Sequence, residues 1–175
     1  MRTELLCEIK KKRNILKGIG ILEIIGGITG IGLIIWFLLQ GFEMNSYSFI
    51  IFLIAIIFYS YSIFAGIILF KKTEKGISHS WIIQFIQILG ISFNGITYVF
   101  TSGGNLMLGY NWTENNLTFN LGIASEFDLS ISQDVNNYIQ INLIAIIIIY
   151  ILDKTLKSLS EKNELLNNYV EKIGE

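Results

Sequence analysis

Glu23 is the one charged side chain in the 23 residues from Gly18 to Gln40, a run that is otherwise strongly apolar and rich in glycine. On a helix, Glu23, Gly26, Gly27 and Gly30 follow i, i+3, i+4, i+7 and share one face. A carboxyl in such a setting binds a proton or cation, or anchors a partner helix. It lies only about five residues above the inner end of the run. The packing alternative is therefore a carboxyl hydrated at the interface, or protonated and hydrogen-bonded to a neighbour. Gly26, Gly27 and Gly30 leave that face narrow enough for another helix to approach closely.

A second constellation runs through Ser80, Gln84, Gln87, Ile91, Asn94, Tyr98 and Thr101, spaced 4, 3, 4, 3, 4, 3. Read as one helix face, it is polar at every position but Ile91, and polar groups do not face lipid tails without losing hydrogen bonds. Glu23, Gln84, Gln87, Asn94 and Tyr98 together form the candidate intramembrane polar site, with a Glu23 contact to Gln84 and Gln87 as its specific expectation. Polar glue between helices, at about 0.6 kcal/mol per bond, is the leading reading. A lined pore or groove is the sharper one.

No enzyme chemistry emerges beside these residues. His79 is the only histidine and has no second His, Cys or paired carboxylate near it in sequence, so no zinc spacing is present and no metal or cofactor is expected. No nucleophile elbow, P-loop or dinucleotide-binding glycine loop occurs. The single cysteine, Cys7, rules out an intramolecular disulfide and dithiol redox chemistry. The expectation is a non-enzyme.

The elements that must position these groups follow from hydropathy. The chain has 175 residues, 52% hydrophobic and 15% charged, with mean hydropathy +0.56. Charge is well below the ~25% usual for soluble domains. The apolar residues fall in blocks at about 18–40, 48–70, 80–101 and 138–152. The first spans roughly 34 Å as a helix, enough for the ~30 Å bilayer core. Its thirteen Ile, Leu and Phe residues, at roughly 0.3–0.6 kcal/mol each, outweigh a central charge costing about 2.5–3.5 kcal/mol. No Ala-x-Ala-like site follows, so it reads as an uncleaved span rather than a secretory signal.

All thirteen Lys and Arg lie in 1–17, 71–75 and 154–172, and none in 41–47 or 102–137. With four spans those sets fall on opposite sides, and the positive-inside rule places both termini inside. The expected fold is thus an all-α membrane protein of four transmembrane helices (18–152), with a basic amphipathic inner flank (1–17) and a cytoplasmic helical tail (153–175). Proline is absent, isoleucine and asparagine abound, and alanine is scarce. This marks an AT-rich, bacterial genome, so the expected location is the inner membrane.

In the outer loop, 102–137, Leu117, Phe119, Leu121 and Ile123 alternate with polar residues, and Phe127, Leu129 and Ile131 do so again. Period-two alternation across a short break predicts an amphipathic β-hairpin. Asn111-Trp112-Thr113 and Asn116-Leu117-Thr118 match the glycosylation pattern, by chance in so Asn-rich a loop. In the tail, Leu152, Leu156, Leu159, Asn163, Leu166, Val170 and Ile173 repeat 4, 3, 4, 3, 4, 3, so Leu156, Leu159, Asn163, Leu166 and Val170 are the candidate tail interface. Docking on the basic 1–17 segment is favoured over an oligomeric coiled coil.

LEIIGG in the first span, with the TFNLGI loop and the INLIAII span, resembles uncharacterised small four-helix inner-membrane proteins of Bacteroidota. The resemblance implies a four-helix fold and no activity. Tetraspanins share a large loop between spans three and four, but their cysteine motif is absent. Together these readings predict a non-enzymatic membrane interaction or regulatory protein of accessory or immunity type, oligomeric or bound to a protein partner. The alternative is a small channel or transporter lined by the third span and Glu23. Anionic lipid is expected at the basic flanks, and no nucleic acid.

Overall fold

The structure, a computed structural model, describes residues 2–42, 44–71, 73–132 and 136–174, with the backbone alone for residues 2, 73, 74 and 168–174. The chain runs α1 (Arg2–Leu39), α2 (Ser46–Lys71), α3 (Thr73–Ile86), β1 (Leu89–Phe93), β2 (Ile96–Thr101), β3 (Asn105–Asn111), β4 (Asn116–Gly122), β5 (Glu126–Ile131), β6 (Tyr138–Asn142) and α4 (Leu143–Gly174). The strands form one antiparallel sheet in the order β4-β3-β6-β1-β2-β5.

This corrects the expected all-α architecture, and with it the four-helix fold implied by the resemblance. Among the described residues, α1 and α2 alone are helices long and apolar enough to cross a membrane. The first two expected spans lie within them. The basic flank at 1–17 is not a separate surface helix but the first half of α1. Gly41, at φ +79°, stops α1 with the left-handed turn that favours glycine. Asn45 caps α2, its Oδ1 accepting from the Ser48 backbone N–H at 2.8 Å.

The third expected span, 80–101, is helix only to Ile86 and then becomes the hairpin of β1 and β2. The reason is local. Asn94 and Gly95 both sit at positive φ, 49° and 81°, as a two-residue hairpin turn with Asn-Gly requires. Phe93 and Ile96 pair across it. The 4-3 polar spacing crosses that turn by coincidence. The fourth expected span, 138–152, is likewise divided between β6 and the start of α4. Asn142 makes the division, its Oδ1 accepting from the Ile144 N–H (3.1 Å) as the cap of α4 and from the Leu106 N–H (3.2 Å) of β3.

The alternating runs at 117–123 and 127–131 do become strands, but they are not a hairpin. β4 pairs with β3 and β5 with β2, at opposite edges of the sheet. Only residues 123–125 join them. Four Cα steps reach about 15 Å at most, whereas the edges of a flat six-stranded sheet stand about 24 Å apart. The sheet must therefore curl so that its two edges approach.

Register sorts the side chains onto two faces. Leu117, Tyr110, Ile139, Ile91, Tyr98 and Leu129 lie in one row, and Phe119, Leu108, Ile141 and Leu89 in the next. That face carries no charged side chain. Over β4, β3, β6 and β1 it points outward, Leu117 being 84% exposed and Phe119 68%, whereas over β2 and β5 it turns onto the helices, where Phe100 is buried. The opposite face carries Ser92, Thr97, Asn105, Asn111, Gln140 and Asn142, most of them buried. Side chains of three other strands, Met107, Val99 and Gln140, converge within 4 Å of where a Cβ on Gly90 would stand. Buried Met107 and Val99 thus lie among the polar side chains of that face.

The helices pack below the sheet. Ile9, Leu16, Ile19, Leu69, Ile77, Ile148, Leu152 and Leu159 form one core, joining the first half of α1 to α2, α3 and α4. Ile34, Ala55, Tyr59, Ala65, Ile83 and Phe100 form a second where α2 and α3 meet β2. α1 and α2 cross closely at glycine. A Cβ on Gly27 would stand 2.6 Å from the Tyr59 carbonyl oxygen and 2.5 Å from Ile63 Cγ1, whereas one on Gly32 would meet nothing within 4 Å. We therefore expect Gly27→Val to destabilise the fold by about 1–3 kcal/mol through overpacking. Gly32→Ala, on the same helix, should be neutral or stabilising by up to about 1 kcal/mol. Denaturant unfolding of the purified full chain measures both.

Candidate functional site

The polar centre is built where four elements meet. Glu23 lies five residues into the apolar part of α1 and is fully buried. Its Oε2 accepts from Ser80 Oγ at 2.8 Å and its Oε1 from Gln84 Nε2 at 3.1 Å, both donors lying on α3 one turn apart. The Glu23 backbone carbonyl accepts from Ser62 Oγ of α2 at 3.0 Å. Ser62 Oγ lies 2.9 Å from Ser102 Oγ in the β2–β3 turn. The Ser102 N–H donates to Gln87 Oε1 at 2.7 Å, and Gln87 Nε2 donates back to the Ile83 carbonyl at 3.3 Å.

Every side chain in this chain of bonds is at most 2% exposed. Ser80 and Gln84, the partners of the carboxylate, are neutral, and among the described residues no cluster of His, Cys, Asp and Glu could hold a metal ion. Chemically the arrangement is a saturated hydrogen-bond network, not an open set of ligands. Among the described residues the buried side-chain atoms left without a partner are Asn105 Oδ1 and Asn142 Nδ2, and neither belongs to this network.

Of the polar residues singled out in the sequence, Gln84 is brought directly to Glu23. Gln87 is one turn on and serves the β2–β3 turn instead. Asn94 and Tyr98 are elsewhere. Asn94 sits at the far end of the sheet in the β1–β2 turn, its N–H donating to Asn137 Oδ1 at 2.9 Å. Tyr98 lies on the apolar face of β2, packed beside Phe100 and the helix core, its hydroxyl donating to the Ile86 carbonyl at 3.0 Å. Ser62 and Ser102 were not anticipated. Both were legible only as small polar residues in apolar surroundings, a weak signal without knowing which helix faces which.

The three glycines divide their work. Gly27 and Gly30 accept α2, Gly30 facing the Tyr59 ring. Gly26 accepts no helix: a Cβ there would strike the Ser102–Gly103 backbone, and the Gly26 carbonyl takes a hydrogen bond from Ser125 Oγ at 2.6 Å. Thr29 Oγ1 adds a contact to Ser125 Oγ at 2.9 Å. The glycine face of α1 is thus a seat for both turns at the near end of the sheet.

The tail docks. Leu152 and Leu159 of α4 are buried against Ile9 and Leu16 of α1, with Leu156 and Leu166 packed beside them, and Lys162 pairs with Glu8. Asn163 is exposed, and the side chain of Val170 lies outside the described residues. Lys157 hydrogen-bonds Asp153 four residues earlier, which raises its amine above the ordinary lysine value. His79 Nδ1 lies 2.9 Å from the Tyr61 hydroxyl, edge-on to Tyr61 and Phe64. Asn111 is explained by its turn: its Oδ1 accepts from the Thr113 and Glu114 N–H groups.

Replacing Glu23 by Leu orphans Ser80 and Gln84 in a buried place, at about 1–3 kcal/mol for each unsatisfied group. Glu23→Gln keeps an acceptor for Gln84 and a donor for the Ser80 hydroxyl, and should stay within about 1 kcal/mol of the parent. A double-mutant cycle of Glu23→Leu with Gln84→Leu should show coupling of about 0.5–3 kcal/mol. Additive losses in unfolding free energy would refute the contact.

No protein-family model, no curated protein and no solved structure matches the chain.

Proposed function

We propose that the chain is a membrane-embedded, non-enzymatic interaction protein of accessory or regulatory type, seated in a bacterial inner membrane with its basic end inside. The observation that carries this reading is the large set of exposed apolar side chains on both the α1–α2 hairpin and the outward part of the sheet. Exposed Ile25, Ile28, Trp36, Ile50, Leu53 and Ile57 cover the hairpin, and Leu108, Leu117, Phe119, Leu121 and Ile141 cover the sheet. Surfaces this apolar mark lipid or protein contact.

Length supports it. α1 and α2, of 38 and 26 residues, are about 57 and 39 Å long as straight helices, enough to cross the ~30 Å hydrocarbon core. Charge supports it too. The Lys and Arg residues belong to the first half of α1, the α2–α3 junction and the part of α4 beyond Leu152, which pack together at one end.

Interaction is preferred to conduction because the polar seam around Glu23 is saturated and buried. Contact with a second protein, or a second copy of this chain, suits the wide outer face of the sheet, which presents large side chains over two rows of strands.

Two measurements test this. In a Cys7→Ser background, Glu114→Cys in the β3–β4 turn should react with an impermeant maleimide in intact cells, and Lys157→Cys only after permeabilisation. The reverse pattern would overturn the orientation. A photocrosslinking residue at Phe119 should capture one discrete protein partner from native membranes, while purified protein in liposomes gives no ion flux above empty liposomes. Flux abolished by Gln84→Leu, with no crosslink, would sink the interaction reading.

A further inference from the structure

Arg13 and Lys17 of α1 and Lys71 of α2 line one cavity of about 260 Å³, floored by Leu16 and Leu69 and bordered by Phe70. It opens between the two helices just on the basic side of the close contact of Gly20 with Gly66. There the Gly20 and Gly66 backbones approach so closely that a Cβ on Gly66 would stand 2.5 Å from the Gly20 carbonyl oxygen. Contact at that crossing and longer side chains beyond it hold the cavity open.

Among the described residues nothing neutralises the three cations. Among the described residues Lys157 pairs with Asp153 and Lys162 with Glu8. Arg13, Lys17 and Lys71 have no ion pair or hydrogen bond there. Arg13 and Lys17 stand four residues apart on one helix, where like charges repel, and Lys71 adds a third charge to the same space. Such an arrangement is destabilising alone and becomes favourable around an anion. Arginine offers a planar fork that matches a phosphate, and lysine a point charge beside it.

The position selects the anion's source. The cavity sits where the basic end of the molecule meets the apolar belt. Buried Leu16 and Leu69 lie on its floor, and Phe70, exposed beside it, begins the apolar surface. A group bound there has its charge among the cations and its apolar continuation along the belt. At about 260 Å³ the space falls just below the ~300–1,000 Å³ of sites that enclose a whole small molecule, so it takes a headgroup and leaves the chains outside. We propose that Arg13, Lys17 and Lys71 form a site for the phosphate of an anionic glycerophospholipid in the inner leaflet. This rests on the membrane reading above and makes one lipid class its specific ligand.

The test uses the full chain in nanodiscs of phosphatidylcholine, alone or doped with phosphatidylglycerol or phosphatidic acid, with bound lipid counted by native mass spectrometry. The parent should retain the doped anionic lipid preferentially. The triple variant Arg13→Gln, Lys17→Gln, Lys71→Gln should lose the preference, by roughly fivefold for each charge removed. A charge-matched control, Lys10→Gln, Lys154→Gln, Lys157→Gln, should keep it.

Equal loss in both variants would mean diffuse attraction to the basic end, and would overturn the site. Lys71→Gln alone, with its circular dichroism compared to the parent, guards against misfolding: a folded single variant with undiminished lipid retention also overturns it. Titration of the detergent-solubilised protein with inorganic phosphate separates the sources. Stabilisation by phosphate that lipid does not exceed would overturn the lipid assignment. Failure to enter nanodiscs would count against the membrane reading instead, and the phosphate titration would still decide whether the three cations bind that group.

Discussion

A carboxyl buried without a counter-charge is the constraint around which this molecule is assembled. Burial of a polar group is tolerable only when each of its hydrogen bonds is made. Glu23 therefore dictates what stands opposite it: a hydroxyl and an amide one turn apart on α3. Ser62 and Ser102 extend the same requirement to α2 and the β2–β3 turn. The glycines beside Glu23 are the steric half of the arrangement, since close approach of α2 and of the turn is what brings the donors within reach. Three helices and the sheet are tied at one level of the molecule by groups that would each be unfavourable alone.

Beyond that level the molecule turns its sheet inside out relative to a water-soluble domain. In water an antiparallel sheet buries its apolar face and hydrates the polar one. Here curling hides most of the polar face and leaves the apolar face outward over β4, β3, β6 and β1. It also brings the two unpaired edges of the sheet toward each other.

The sequence revealed composition, charge sorting and the apolar blocks, because these depend only on which residues are adjacent. It also revealed the Glu23 face of α1 and the docking stripe of the tail, because both lie on single uninterrupted helices. It misled where helical and strand periods overlap. From Ser80 to Thr101 a 3.5-residue spacing of polar groups coexists with an Asn94-Gly95 turn, and the turn chemistry prevails. At 138–152 an apolar run is long enough for a short span, yet Asn142 divides it by capping α4. The strands around 117–131 were legible from alternation. Their partners were not: β4 pairs back on β3 and β5 on β2, segments that read as loop and as helix in the sequence, rather than on each other.

The hydrogen bond from Ser125 to the Gly26 carbonyl joins residues 99 positions apart, and its consequence concerns the order of assembly. α1 and α2 are contiguous in sequence and precede every strand. Their contact needs no part of the sheet. The sheet, by contrast, cannot finish until β6 inserts between β1 and β3, because that strand is the only bridge between the two halves of the strand order. The hairpin's glycine face is then the template that receives the closed turns, and α4, made last, returns to cover the half of α1 that was made first. Chain entropy makes such distant pairings slow, and a preformed helical seat shortens the search.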